Sequence, residues 1–176
     1  LTHAHIDHTG YLPRFCKDGF RGRVNSTHAT FDFCKILLMD SAHLQEEDAY
    51  FANKQGFSKH DPALPLYTIR DAEWALAFFT PFNYGENIEL EGGVRLKFRD
   101  AGHILGSSFV DIKTTDGSKP RKILFSGDLG RPGLPILHEP VQPYNVDYLV
   151  LESTYGNRLH DTISPQDELA RVINES

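Results

Sequence analysis

The chain has few of the features that mark secreted or membrane-bound proteins. It contains only two cysteines, Cys16 and Cys34, which are too few for a disulfide framework and lack the CxxC spacing of metal or redox motifs, so we expect both to be reduced core residues. No apolar run approaches the ~20 residues that cross a bilayer, and no signal-peptide pattern, internal repeat or low-complexity tract is present. We therefore expect a cytoplasmic protein without a membrane partner.

Positive charge is also scarce. The chain has 18 Lys and Arg against 24 Asp and Glu, a formal net charge of -6, which argues weakly against a nucleic-acid partner. The argument is weak because bound metal ions would offset the negative charge of ligand carboxylates. The net charge of the whole chain also does not describe the electrostatic field inside one groove. Two local basic clusters occur, Arg14-Lys17-Arg21-Arg23 and Lys119-Arg121-Lys122. We interpret the first as a solvated helix face, with steering of a phosphate backbone toward the metal loop as the alternative.

The most informative segment is His3-Ala-His5-Ile-Asp7-His8. Imidazole and carboxylate groups suit Zn²⁺ and similar borderline divalent ions. In an extended segment His3 and His5 point to the same side, and the turn that follows lets Asp7 and His8 face a second position a few ångströms away. The spacing predicts two adjacent metal ions. A His-rich surface turn or a residual tag is the alternative, but neither accounts for Asp7 or for the Thr-Gly-Tyr-Leu-Pro that follows.

Two later segments are expected to supply further ligands. Residues 95–100 alternate as a half-buried strand does and stop at a glycine-flanked turn that carries His103. Residues 122–125 form a short apolar strand that stops at Ser-Gly-Asp128. A His or Asp in such a loop is by itself more often a turn residue. Because both follow strand ends in a chain with a metal motif, we predict that they complete the site.

Four segments, in this order, carry a family resemblance: THAHIDHTGYLP, DAGHILGSS, FSGDLGRPG and LESTYGNRLH. They resemble the metallo-β-lactamase superfamily, and LESTYGNR together with DSAHLQEEDA resembles its RNA-processing branch, which has an inserted beta-CASP domain. The resemblance runs along nearly the whole chain. It implies an α/β protein with the metallo-β-lactamase fold, an αββα sandwich, incomplete at both ends.

The resemblance also implies a ligand set and a reaction. The ligands it implies are His3, His5 and His103 for one metal, Asp7 and His8 for the other, and Asp128 for both. Two Zn²⁺ ions are implied, although Mn²⁺ or Fe²⁺ also suits such ligands. A hydroxide between two such cations is available near neutral pH, and the cations neutralise phosphoryl oxygens. We therefore expect a ribonuclease, an endonuclease or a 5′-3′ exonuclease, that hydrolyses the phosphodiester bonds of single-stranded RNA.

Three acidic residues are candidate catalytic groups. Asp128 would bridge the metals, and Asp7 would orient the hydroxide or serve only as a structural ligand. Glu152 follows an apolar strand predicted at 147–151, which we expect to be buried, and its position alone suggests a carboxylate that caps a turn. The resemblance implies instead that Glu152 orients a histidine, located further along than residue 176, that protonates the leaving oxygen.

The expected organisation is a metallo-β-lactamase domain at 1–158, without its N-terminal strands and C-terminal portion, and the start of the beta-CASP domain at 159–176. Helices are predicted at 31–50, at 69–79 and from Pro165, with Ser164 as N-cap. The segment alone is expected to be inactive. Its parent is expected to act on RNA as a homodimer or within an RNA-processing complex.

Two other functions remain open. A small-molecule metallohydrolase of the same fold would cleave thioesters or lactones, but it would not need the LESTYGNR motif. A non-catalytic scaffold subunit for RNA processing would normally have substituted ligands, whereas all six expected ligands are present.

Overall fold

The computed structural model describes residues 1–117, 119–159 and 164–175, so the predicted unit at 159–176 falls partly outside the described residues. The strands form a parallel pair, β1-β2, and a mixed five-stranded sheet in the order β3-β4-β5-β6-β7. The helices are α1 Ile6–Thr9, α2 Leu12–Lys17, α3 His28–Gln55, α4 Ile69–Leu76 and α5 Pro165–Glu175. The strands are β1 Val24–Thr27, β2 Phe79–Phe82, β3 Ile88–Glu89, β4 Arg95–Asp100, β5 Ser108–Asp116, β6 Lys119–Phe125 and β7 Tyr148–Val150. None of the described helices is long and apolar enough to cross a membrane.

The predicted helix at 31–50 is confirmed as the central part of one longer helix, α3. It begins where the Thr27 hydroxyl accepts a hydrogen bond from the Thr30 amide, 3.2 Å away, and it ends at Gly56, whose φ of 67° gives the left-handed conformation of a helix C-cap. The prediction of a helix at 69–79 is correct only as far as Leu76. Phe79 instead pairs with Val24 as the first residue of β2, because parallel pairing with β1 takes up the backbone groups there.

The two-stranded sheet packs against the five-stranded sheet through Phe82, and α3 contacts both β1 and β2. Phe82 of β2 packs against a buried cluster on the five-stranded sheet that includes Leu96, Phe98 and Val110. Leu96 and Phe98 lie on one face of β4, as the alternation predicted. On the opposite side of this sheet a second cluster forms from Ala101, Phe109, Leu124 and Val146. The α/β class predicted from the sequence is confirmed.

The strand predicted at 147–151 is present as β7, but the expectation that it is buried is wrong. Its residues Tyr148, Leu149 and Val150 are 55%, 54% and 52% exposed. These side chains are exposed because β7 lies at the edge of the described sheet, where it pairs with β6 alone. Its apolar residues are therefore covered from one side only.

Both cysteines behave as the sequence predicted. Cys16 and Cys34 are free and fully buried. Burial raises the pKa of the Cys34 thiol to about 12, because the thiolate loses its hydration there. Both side chains therefore act as small apolar core groups.

Three residues of the first basic cluster have partners among the described residues. Arg14 forms an ion pair with Asp18 one turn away, Lys17 binds Asp71, and the guanidinium of Arg21 lies 4.3 Å from the centre of the Trp74 ring. The side chains of Arg14, Lys17 and Asp18 are 38%, 43% and 46% exposed, which agrees with the interpretation as a solvated helix face.

Asp71 fixes the start of α4, and its loss should destabilise the fold. Its Oδ2 accepts hydrogen bonds from the Thr68 amide at 2.9 Å and from Lys17 Nζ at 2.8 Å, and its amide donates to the Thr68 hydroxyl. We expect Asp71→Ala to lower the free energy of unfolding by about 1 kcal/mol, since it removes a capping box. Chemical denaturation would measure this loss, with Asp18→Ala as the control for an exposed ion pair alone.

The effect of Asp71→Ala should depend on pH. Desolvation favours the protonated carboxyl, but hydrogen bonds from Lys17 and Thr68 outweigh it and hold the pKa of Asp71 below its ordinary value of 3.8. The unfolded chain therefore binds this proton first as the pH falls. The stabilisation is complete above that ordinary value and is lost as the pH falls through the lower pKa of the folded state. The gap between the native chain and the variant should narrow only below about pH 4; a gap unchanged at pH 2 would contradict this account.

Candidate metal centre

The histidine motif is held in place by the two sheets that flank it. The Thr2 carbonyl accepts hydrogen bonds from the Ser108 amide at 2.8 Å and from its hydroxyl at 2.9 Å, at the start of β5. The backbone nitrogen of Leu1 donates to the Asn25 carbonyl of β1 at 2.8 Å. The Thr9 hydroxyl donates to the carbonyls of Ala4 and His5 and closes the turn that α1 forms. These contacts fix the backbone from which the motif's side chains project.

Four of the predicted ligands converge on one point. His5 Nδ1 lies 3.2 Å from His3 Nε2 and 3.2 Å from His103 Nε2. Asp128 Oδ2 lies 3.6 Å from His3 Nε2 and 3.5 Å from His103 Nε2. One ligand atom from each of the four residues lies within 4.8 Å of all the others. The structure thus brings together side chains from three separate parts of the chain.

The spacing of these atoms suits a metal ion. Ligand atoms at about 2.0–2.1 Å from a tetrahedral Zn²⁺ stand roughly 3.3 Å apart, close to the distances found here. Three ring nitrogens and a carboxylate oxygen are also the donor types that such ions bind. The donor set therefore fits a divalent metal.

Asp128 also faces a second group of predicted ligands. Its other oxygen, Oδ1, lies 3.1 Å from His8 Nε2, and His8 Nε2 lies 3.5 Å from Asp7 Oδ2. This second group is more open to solvent, since the side chains of Asp7 and His8 are 73% and 31% exposed. One carboxylate thus spans the gap between the two groups, one oxygen on each side.

The environment of His3 favours the form that binds metals. His3 is fully buried, and burial, with a further contribution from the charge of His8, lowers its pKa to about 4, although Asp128 opposes the shift. The imidazole is therefore neutral near pH 7, as a metal ligand must be. Its second ring nitrogen, Nδ1, lies 3.2 Å from the Thr2 hydroxyl. Such a contact to the non-ligating nitrogen orients the rings of metal-binding histidines.

Glycines allow the ligand loops to approach one another. The Gly130 amide donates to the Ala101 carbonyl at 2.8 Å, and a Cβ at Gly130 would overlap the carbonyl group of Gly102. At Gly127, which has a φ of 56°, a Cβ would lie 2.6 Å from that of Thr2. The loops that carry His103 and Asp128 are therefore in backbone contact, and bulkier residues would separate them.

Glu152 contacts the Asp128 loop from the side of β7. Its Oε1 accepts a short hydrogen bond from the Leu129 amide, and its own amide donates to the Ser126 hydroxyl at 3.0 Å. Its carboxylate thus holds the backbone directly after Asp128. The role of Glu152 toward a more distant histidine remains a prediction.

A groove of about 640 Å³ opens beside the metal centre, with His103, Asp128 and Glu152 in its wall. Three further residues of this wall were missed as candidates: Arg131, Tyr155 and Arg158. Arg131 and Arg158 place positive charge beside the ligands. The motifs FSGDLGRPG and LESTYGNRLH contain all three, but their spacing alone does not show which side chains reach the groove.

Comparisons with known proteins identify relatives over most of the chain. It is 36% identical over 160 residues to ribonuclease TTHA0252 of Thermus thermophilus, a match covering 91% of this chain and 32% of that protein. It is 32% identical over 177 residues to the transcription termination factor FttA of Cenarchaeum symbiosum, and 29% identical over 182 residues to FttA of Methanocaldococcus jannaschii; these matches cover 25% and 26% of the relatives. The chain thus spans about a third or less of each relative. No family model matches it.

Among solved structures, BJP-1, a subclass B3 metallo-β-lactamase of Bradyrhizobium japonicum, is similar over 70% of this chain and 38% of its own, with a TM-score of 0.37 and 22% identity. A second B3 metallo-β-lactamase, with an active-site glutamic acid, is similar over 76% of this chain and 45% of its own, with a TM-score of 0.43 and 18% identity. The chain is a homologue of ribonuclease TTHA0252 and of the FttA proteins, relatives whose names agree with the resemblance of its motifs to an RNA-processing family.

Proposed function

We propose that the protein is a metal-dependent ribonuclease that hydrolyses phosphodiester bonds of single-stranded RNA. The observation that carries the proposal is the position of Asp128, with Oδ2 facing His3 and His103 and Oδ1 facing His8. A carboxylate between two groups of ligands suits a pair of adjacent metals. The similarity to a protein named as a ribonuclease supports RNA as the substrate.

Each predicted ligand has a place in this proposal. His3, His5 and His103 hold the first metal, Asp7 and His8 hold the second, and Asp128 is shared. When bound, two divalent ions supply a hydroxide near neutral pH and neutralise charge on phosphoryl oxygens. We assign both metals as Zn²⁺ because imidazoles dominate the first group, and because His8 with two carboxylates in the second group also offers donor types that Zn²⁺ binds.

Asp7 and the side chains that surround the ligand set have further roles in the proposal. The open position of Asp7 allows its carboxylate to accept a hydrogen bond from the attacking hydroxide and orient it, with a purely structural role as ligand as the alternative. Glu152 holds the Leu129 amide and thereby keeps Asp128 in position between the ligand groups. Arg131 and Arg158 lie where they can attract the RNA backbone into the groove. Tyr155 offers a ring on which a base can stack.

The organisation proposed for the parent protein follows the family. Residues 1–158 form the metallo-β-lactamase domain, 159–176 begin the beta-CASP domain, and RNA lies between the two domains. The proposal includes a cytoplasmic location and assembly as a homodimer or within an RNA-processing complex. Cleavage is internal, from a 5′ end, or both.

The test is RNA hydrolysis by the intact protein, alongside elemental analysis of its metal content. We expect about two metal ions per chain and cleavage of an end-labelled single-stranded RNA that a chelator abolishes and added Zn²⁺ restores. The product ladder separates internal cutting from 5′-end trimming. Two bound metals with no cleavage of RNA would contradict the proposal and favour a small-molecule hydrolase, whereas no bound metal would favour a scaffold.

A further inference from the structure

Three cationic side chains stand side by side at the end of the five-stranded sheet that is remote from the metal centre. Arg95 of β4 pairs in register with Lys113 of β5, and Lys113 pairs with Lys122 of β6. Side chains directly opposite each other on adjacent antiparallel strands have Cβ atoms about 5 Å apart, and like charges at such positions are destabilising. This cation row therefore favours an anion beside it.

The acidic neighbours compensate the cation row only in part. Lys122 Nζ is engaged, since it lies 3.4 Å from Asp111 Oδ2 and donates to the Tyr144 carbonyl at 2.7 Å. Arg95 has only a loose, exposed contact of 3.9 Å with Glu89, which contributes little in water. Lys113 forms no ion pair with any residue in the described part of the chain.

The cation row borders a pocket of about 250 Å³ whose wall also includes Arg121, Thr114 and Thr115. Arg121 is held loosely, with one terminal nitrogen 3.7 Å from Asp147. Its Nε is buried and has no hydrogen-bond partner among the described residues. Because this Nε is buried, a ligand in the pocket would meet the accessible remainder of the Arg121 side chain, which is 32% exposed. Asp147 is the one acidic residue among the described residues of the wall.

We propose that this pocket binds a phosphate group, held by Arg121 and by the cation row. A guanidinium fork and lysine ammonium groups are the usual partners of phosphate oxygens, and threonine hydroxyls can donate as well. The pocket is separate from the metal centre, since Arg95 and Asp100, at opposite ends of β4, are about 17 Å apart along the strand. The phosphate comes from a free phosphate compound or from an RNA backbone, and only the second source rests on the proposed nuclease function.

Two binding measurements on the intact protein test the proposal. The first is calorimetric titration with inorganic phosphate. The second is fluorescence anisotropy of a labelled single-stranded RNA at several salt concentrations, in chelator so that the RNA is not cleaved. Two variants are compared with the native protein. Lys113→Gln removes one positive charge, and Arg121→Lys keeps the charge but loses the guanidinium fork. Lys119→Gln is the matched control, because this exposed lysine of β6 does not line the pocket. The unfolding midpoint of each variant verifies its fold.

We expect Lys113→Gln and Arg121→Lys to weaken phosphate binding at least tenfold, and Lys119→Gln to leave it unchanged. If an RNA backbone is the source, the plot of log affinity against log salt concentration also becomes less steep in Lys113→Gln. The magnitude of its slope decreases by about 0.7, the value for one phosphate contact on a single strand. A loss of phosphate binding with an unchanged RNA slope assigns the pocket to a free phosphate compound. The proposal is overturned if neither measurement separates these variants from Lys119→Gln. That outcome leaves the nuclease proposal intact, because its own test measures cleavage and metal content.

Discussion

Replacing Asp128 with alanine should abolish RNA hydrolysis by the intact protein and lower its metal content. The reason is geometric: the two carboxylate oxygens of Asp128 face different groups of histidines, at 3.5 and 3.6 Å on one side and 3.1 Å on the other. Loss of a residue that only supports a ligand typically costs 10–100-fold in metal affinity or activity. Loss of a shared ligand should therefore reduce hydrolysis by more than about 100-fold. Elemental analysis and an end-labelled RNA measure both effects.

The controls separate loss of the ligand from loss of the fold. Asp128→Asn keeps the shape of the side chain and removes only its charge, so it should retain the fold while losing activity. Asp18→Ala removes an exposed carboxylate that binds Arg14 and should leave both metals and hydrolysis unchanged. Two metals and normal turnover in Asp128→Ala would show that the assignment of Asp128 is wrong.

Replacing Gly130 with alanine should have the second large effect, although Gly130 is not a ligand. A Cβ at this position would overlap the carbonyl group of Gly102, and the Gly130 amide donates to the Ala101 carbonyl. The loops must move apart, which breaks that hydrogen bond and increases the distance between His103 and Asp128. Overpacking of this kind costs about 3 kcal/mol, and a displacement near 1 Å at a catalytic site can cost about 100-fold in rate.

Gly133→Ala is the matched control for Gly130→Ala. Gly133 lies in the same loop with a φ of 77°, and a Cβ there would meet no atom within 4 Å. This variant should lose only about 1–2 kcal/mol, from backbone strain, and should keep its metals. Thermal unfolding and metal titration would compare the two. Equal effects in both variants would mean that strain in the loop, and not contact between the loops, limits the site.

The candidate ligands could be predicted from the sequence because the signals that indicate them are local. The spacing of His3 and His5 and the strand-end positions of His103 and Asp128 required only short segments of sequence. The family resemblance then assigned each residue to a metal, including the sharing of Asp128. The structure brings four of these side chains together and places His8 on the other side of Asp128.

What the sequence did not reveal depends on pairing between distant segments. The alignment of Arg95 with Lys113 and of Lys113 with Lys122 requires the register of three strands. The contact between Glu152 and the Leu129 amide requires the parallel pairing of β6 with β7. The end of α4 was misplaced for a similar reason, since pairing with Val24 draws Phe79 into a strand whatever its local helical spacing.

The hydrogen bonds from Ser108 to the Thr2 carbonyl have a consequence for how the protein folds. They close a loop of about a hundred residues, and chain entropy opposes closing long loops before other contacts form. His3 and His5 can therefore meet His103 and Asp128 only late, after β4, β5 and β6 have paired. An unfolded chain offers no such arrangement, so metal binding adds its free energy almost entirely to the native state. Metal uptake would report the last step of folding, when the segment that carries His3 and His5 closes onto the start of β5.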